Sequence, residues 1–151
     1  FANKCKECGV DGLIIPDLPF EEQEELQKAL KKYNYTILIQ LLSPISEGRI
    51  NQILQDARGF VYCVSSMGVT GGNASFHNKV REYLSSVKKH SKIPVMMGFG
   101  IRHPEDVEPV IDIIDGAIVG SHFINLVRDT DYSPDKAREY VSGFKREMNS
   151  R

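Results

Sequence analysis

Short runs of successive apolar residues alternate along the whole chain with longer stretches in which apolar and charged positions recur at three- and four-residue spacing. The apolar runs fall at residues 12–15, 36–42, 59–64, 94–97 and 117–119. They are mostly apolar on successive residues, and a strand apolar on both faces is buried on both faces, the mark of a parallel sheet. The longer stretches predict helices over residues 21–33, 46–57, 76–89 and 104–114, with a closing helix over 133–148. In the first of these, Leu26 and Leu30 stand one turn apart while Glu21, Glu22, Glu24, Glu25, Lys28, Lys31 and Lys32 supply a wet face, so this helix covers one side of a sheet. Start signals agree: Ser46 precedes Glu47, Pro104 precedes Glu105 and Asp106, and Ser133 precedes Pro134 and Asp135. At the front, residues 4–8 read as a helical tail stopped by Gly9, from which the chain is expected to begin in mid-fold.

Five consecutive βα units with no linker and no hairpin signal make residues 1–151 a single α/β domain, either an open doubly wound sheet or part of a βα barrel. A doubly wound nucleotide binder carries G-x-G-x-x-G after its first strand; here Gly12 is followed by Leu13 and no such turn appears.

Composition narrows the function classes. With 41% hydrophobic and 26% charged residues and a net charge of -1, the chain is globular, and its basic residues are spread over helical stretches instead of forming the stripe that holds a polyphosphate backbone. Nucleic acid is not expected as a partner. The apolar runs are far shorter than the ~20 residues that span a bilayer, and a cytoplasmic protein is expected. Cys5 and Cys8 are spaced C-x-x-C, but no second pair and no suitably placed histidine completes a metal set, and Cys63 lies within an apolar strand, so no metal is expected. His77, His90, His103 and His122 are scattered and read as surface histidines.

In parallel α/β folds the working residues sit in the loops that leave the carboxyl ends of strands. Those loops are Pro16-Asp17-Leu18-Pro19, Ser43-Pro44, the run from Ser65 to Asn73, Gly98-Phe99-Gly100-Ile101 and Gly120-Ser121, and glycine gathers in the last three. A glycine pair by itself is equally a tight turn. Three glycine loops at successive strand ends, the last opening a short helix over residues 122–127, favour a phosphate site built from backbone amides and the Ser121 hydroxyl. Asp17 is the sole carboxylate at a strand end, and neither a lysine nor a histidine is paired with it, so the segment lacks an acid–base couple of its own. Tyr62 shares a strand face with Phe60 and Val64 and is either a structural tyrosine or a hydrogen-bond donor to substrate.

The ordered set Gly9-Val-Asp-Gly-Leu-Ile-Ile-Pro-Asp-Leu-Pro, Phe60-Val-Tyr-Cys-Val-Ser-Ser-Met-Gly-Val-Thr-Gly, Pro94-Val-Met-Met-Gly-Phe-Gly-Ile and Gly116-Ala-Ile-Val-Gly-Ser resembles the tryptophan synthase alpha chain from about Gly9 to the closing helix. That resemblance implies a TIM (β/α)8 barrel, of which this chain matches strands four to eight. It implies a lyase that cleaves indole-3-glycerol phosphate to indole and glyceraldehyde 3-phosphate by a reverse aldol step, without a cofactor, and passes indole to the tryptophan synthase beta chain in an alpha2beta2 complex. A glutamate ending strand two and an aspartate after it transfer the protons in the family; neither falls within the matching part, so the 151 residues are expected to be inactive alone, and their open strand edges to favour self-association. The resemblance carries Gly71, Gly100, Gly120 and Ser121 onto the phosphate cradle, Ile14, Thr70 and Phe99 onto the indole pocket, and Tyr62 onto the tyrosine that supports the catalytic carboxylates. It carries Asp17, Leu18 and Pro19 onto the loop facing the beta chain and residues 71–76 onto a lid, where Ala74 and Ser75 stand in place of the arginine many relatives have. The alternatives are another phosphate-binding barrel, acting on a flavin phosphate or a sugar phosphate, and a non-catalytic half-barrel binding module.

Overall fold

A computed structural model of the chain describes residues 1–33, 36–64 and 74–150. Six short strands run through it: β1 (Gly12–Leu13), β2 (Ile37–Leu38), β3 (Gln40–Leu42), β4 (Val61–Val64), β5 (Val95–Gly98) and β6 (Gly116–Ile118). All pairings are parallel, β1 with β2, and β3–β4–β5–β6 in chain order. An array that never reverses its strand order is the arrangement of a barrel; a doubly wound sheet reverses it at its switch point.

The helices are α1 (Ala2–Glu7), α2 (Glu24–Tyr33), α3 (Ile50–Gln55), α4 (Ala74–His90), α5 (Ser121–Asp129) and α6 (Pro134–Asn149). Period-2 alternation decides how the strands meet them. Val61 and Cys63 on β4 and Val95 and Met97 on β5 are 0% exposed and pack against Val80, Leu84 and Val87 of α4 and Ile50 and Ile53 of α3. The intervening residues Leu41, Tyr62, Val64 and Met96 face the other way and are half-buried. On that second face large side chains lie over glycines of the next strand. A Cβ on Gly98 would stand 2.1 Å from the Tyr62 hydroxyl, and one on Gly116 would stand 2.5 Å from the Met96 methyl.

The termini of the elements follow the sequence signals with several corrections. Gly9 ends α1 at φ +68, with its N–H donating to the Lys6 carbonyl and the Val10 N–H to the Cys5 carbonyl, the paired bonds of a Schellman stop. Ser133 caps α6 by accepting from the Lys136 N–H. The strand expected over 36–42 is divided at Ile39: its first half pairs with β1, its second with β4, and the Ile39 N–H donates to the Leu13 carbonyl. β1 and β4 are also shorter than their apolar runs, while β5 and β6 keep the expected length and are displaced by one residue. The helix expected over 21–33 begins with a 3-10 turn (Phe20–Glu22) before α2, whose Leu30 is buried as predicted. Likewise 46–57 is a 3-10 segment from Pro44 to Arg49 followed by α3, and its cap is Ser43, with Ser46 returning the bond. No α-helix forms over 104–114. Two 3-10 turns, Pro104–Asp106 and Glu108–Val110, take its place, because Pro109 has no N–H to give and disfavours α geometry in the residue before it. Val107, Val110 and Ile113 still reach the core.

Candidate functional site

β4, β5 and β6 deliver three side chains and two glycine turns to one place. Between them lies an open cavity of about 480 Å3 lined by Tyr62, Phe99, Gly100, Ile101, Arg102, Ile118, Gly120, Ser121, His122 and Asn125. Five residues singled out in the sequence, Tyr62, Phe99, Gly100, Gly120 and Ser121, therefore converge. Thr70 and Gly71, with the expected lid, lie outside the described residues.

The turn after β5 is tight. Phe99 and Gly100 take φ of +80 and +74, and a phenylalanine in that region is strained by about 1–3 kcal/mol. The turn holds because the Ile101 side chain is buried and because the Asp106 carboxylate accepts from the Arg102 and His103 N–H groups at 2.7 and 2.9 Å. Burial pushes the Asp106 carboxyl up, but those two bonds and the Arg102 and His103 charges outweigh it, and the net direction is down. Phe99 is 53% exposed, and its ring stands edge-on to Tyr62, with centroids 6.2 Å apart and planes at 76°. Burial raises the Tyr62 phenol above its ordinary value, so it stays protonated and serves as a hydrogen-bonding group, not as an acid.

The turn after β6 works differently. Nothing stands within 4 Å of where a Gly120 Cβ would be, so the missing side chain leaves open space at the mouth of the cavity. There α5 begins at Ser121, and its first-turn N–H groups have no partners within the helix. Amide donors at a helix start, a serine hydroxyl and no carboxylate among the described lining residues make the cavity suited to an anion beside an aromatic ring.

Other expected residues lie apart. Ile14 follows β1, is 45% exposed and is not among the residues lining this cavity. Asp17, Leu18 and Pro19 form the turn between β1 and α2, anchored where the Gln23 side chain donates to the Leu18 carbonyl at 3.3 Å; Gln23 in turn accepts from buried Gln40 at 2.9 Å. Sequence reasoning missed Arg102, Asn125 and Ile118 and read His122 as a surface histidine. The available signal was position: Arg102 stands two residues beyond Gly100, and His122 follows Ser121. A second cavity of about 570 Å3, between β6 and α6, is lined largely by apolar groups such as Val119, Phe123, Phe144 and Met148. Among the described residues no cluster of histidine, cysteine and carboxylate is arranged to hold a metal, and no helix is long and apolar enough to cross a membrane.

One-directional parallel strands with a pocket at their carboxyl ends define the fold as part of a βα barrel, and the comparisons with known proteins agree. The family model for the tryptophan synthase alpha chain matches residues 1–151, and the chain belongs to that family. It is 64% identical over 151 residues to the tryptophan synthase alpha chain of Lachnospira eligens, covering 99% of this chain and 57% of that one. The structure matches tryptophan synthase subunit alpha from Legionella pneumophila at a TM-score of 0.80 and 30% identity, over 99% of this chain and 56% of the other. A chain from the tryptophan synthase a2b2 complex of Pyrococcus furiosus matches at 0.71 and 25%, over 100% and 60%. The chain thus spans about half the length of the relatives it matches.

Proposed function

We propose that this chain carries the substrate pocket of an enzyme that cleaves indole-3-glycerol phosphate to indole and glyceraldehyde 3-phosphate by a reverse aldol step in tryptophan biosynthesis. The observation that carries the reading is the convergence of Gly100, Gly120 and Ser121 with Phe99 and Tyr62 about one cavity of about 480 Å3. In this reading the amides around Gly100, Gly120 and Ser121, together with Gly71, receive the phosphate. Phe99, with Thr70 and Ile14, flanks the indole ring, and the Tyr62 hydroxyl supports the groups that move protons.

The reaction breaks the bond between the ring and the glycerol chain: the ring carbon takes up a proton, and the neighbouring hydroxyl gives one up as it becomes the aldehyde. Both transfers need acid–base groups, and the described lining residues include no carboxylate. In this reading the 151 residues alone bind phosphate weakly and do not turn over. The loop at Asp17, Leu18 and Pro19 is assigned to the contact with the beta chain, which receives the indole, and the protein to the cytoplasm.

Two measurements test this. Glycerol 3-phosphate titrated into the chain should bind, and Gly100→Val, which adds a branched side chain at φ +74, should remove the binding; unchanged affinity would refute the cradle. Indole released from indole-3-glycerol phosphate by the chain alone would refute the assignment of proton transfer to groups outside it.

A further inference from the structure

The glycine turns supply neutral amides, yet a cationic residue also lines the cavity. Arg102 lines it, with His122 and Asn125 as further side-chain donors and no carboxylate among the described lining residues. The Arg102 backbone is gripped from two sides. Its N–H donates to Asp106 at 2.7 Å, and its carbonyl accepts from the Tyr140 hydroxyl at 2.7 Å. Tyr140 belongs to α6, far along the chain, and also packs its ring on His122, centroids 5.5 Å apart, while His122 meets His103 at 5.1 Å. One residue of the closing helix thus touches both the turn after β5 and the start of α5.

We propose that Arg102 is a phosphate ligand of this pocket, a cationic side chain added to the glycine amides, and that Tyr140 is the residue that positions it. The proposal rests on the phosphate reading given above and adds the charge selectivity that amides alone lack. A guanidinium presents a planar fork of N–H donors that matches two oxygens of a phosphate and never loses its charge, so it favours a dianionic phosphomonoester over a neutral or singly charged group. Asp106 is the competing anion. Its Oδ2 already accepts from two backbone N–H groups, and the Arg102 charge helps to hold its carboxyl down, so a phosphate in the cavity would compete with Asp106 for the guanidinium.

The experiment titrates the full chain with inorganic phosphate and with glycerol 3-phosphate at several salt concentrations, following amide shifts of Gly100 and Gly120. Arg102→Ala should weaken binding about tenfold, the loss of one charge-assisted contact, and flatten the salt dependence. Arg102→Lys should restore the salt dependence and part of the affinity. Tyr140→Phe, which keeps the ring stack and removes one bond, should weaken binding two- to threefold with the salt dependence retained. Arg102→Ala binding as wild type does, with the same salt dependence, while Gly100→Val loses binding, would overturn the role of Arg102 and leave the phosphate reading standing. No binding of either anion by the wild-type chain would overturn both. Arg102→Ala lies on an exposed position, so matched circular dichroism should show an intact fold.

Discussion

Gly98→Ala is the substitution in which the packing of the site face is most directly exposed. The added Cβ would stand 2.1, 2.4 and 2.5 Å from three atoms of the Tyr62 ring, where ordinary contact begins near 3.4 Å. The ring must therefore retreat by about 1 Å, a tilt of roughly 10–15°, which is inside the ~30° that costs about 0.5–1.5 kcal/mol in a side-chain torsion. It also gives up part of its edge contact with Phe99, worth about 0.5–1.5 kcal/mol, and overpacking in general costs about 1–3 kcal/mol. Because Tyr62 is half-buried and has the open cavity beside it, the lower half of that range applies, and about 1–2 kcal/mol is expected. Denaturant unfolding of the wild type, Gly98→Ala, Tyr62→Ala and the double variant reads it as a cycle. With Tyr62 shortened to alanine the clash is gone, and Gly98→Ala should become neutral or slightly stabilising, as glycine in a strand costs conformational entropy. If Gly98→Ala costs the same with and without the Tyr62 ring, the ring is not what the glycine accommodates, and the packing argument fails.

Phe99→Gly should raise stability by about 1 kcal/mol, by relieving the backbone at φ +80, and at the same time weaken binding of indole-bearing ligands; a stability loss in the same unfolding assay would show that the ring's contacts outweigh the strain. Asp115 accepts from the Val95 N–H at 2.7 Å and pairs with Lys88 at 2.6 Å; burial raises its carboxyl, the two partners outweigh that, and the net direction is down. A depressed carboxylate stabilises above its unfolded value and loses that contribution as pH falls through the folded one, so the stability gap between wild type and Asp115→Asn, below about 1 kcal/mol for so exposed a pair, should close below about pH 4. Burial pushes the Cys63 thiol up to about 11, and Cys5 is buried as well, so a thiol reagent at pH 8 should label Cys8 rapidly and the other two only on unfolding; three equal fast rates would contradict the packing.

What was legible in the sequence is what hydrophobic pattern and glycine placement encode. Continuous apolar runs located every strand, and alternating charge located α2, α4 and α6 to within a few residues. The division of 36–42 at Ile39 was not legible, because a change of pairing partner leaves no mark on hydrophobicity. Pro109 was in plain view inside 104–114, and the apolar spacing of Val107, Val110 and Ile113 overrode it; that spacing serves two 3-10 turns as well as a helix. Of the site, Tyr62, Phe99, Gly100, Gly120 and Ser121 were legible because strand-end glycines have a distinct physical use. Arg102 and His122 were not, since a single charged or imidazole group beside a turn looks like any solvated residue until Tyr140, 38 positions from Arg102, is found holding it.

The period of two along β4 and β5 separates stability from binding within a single strand. Val61, Cys63, Val95 and Met97 are sealed against α3 and α4, and truncating any one of them opens a cavity in a closely packed layer, at about 2–5 kcal/mol for the largest. Tyr62 and Met96 stand between them in sequence but on the opposite face, where Gly98 and Gly116 make room for their rings and methyls. A large side chain there needs a small neighbour one strand over, so the identity of the site residue is tied to a glycine on another segment, not to the helix layer behind it. Changes at Tyr62 therefore reach the pocket without reaching the core, and the same substitution size one residue away, at Cys63, does the reverse. The register Tyr62↔Met96↔Gly116 fixes which residues share that open face, and a slip of one position would exchange the two sets entirely.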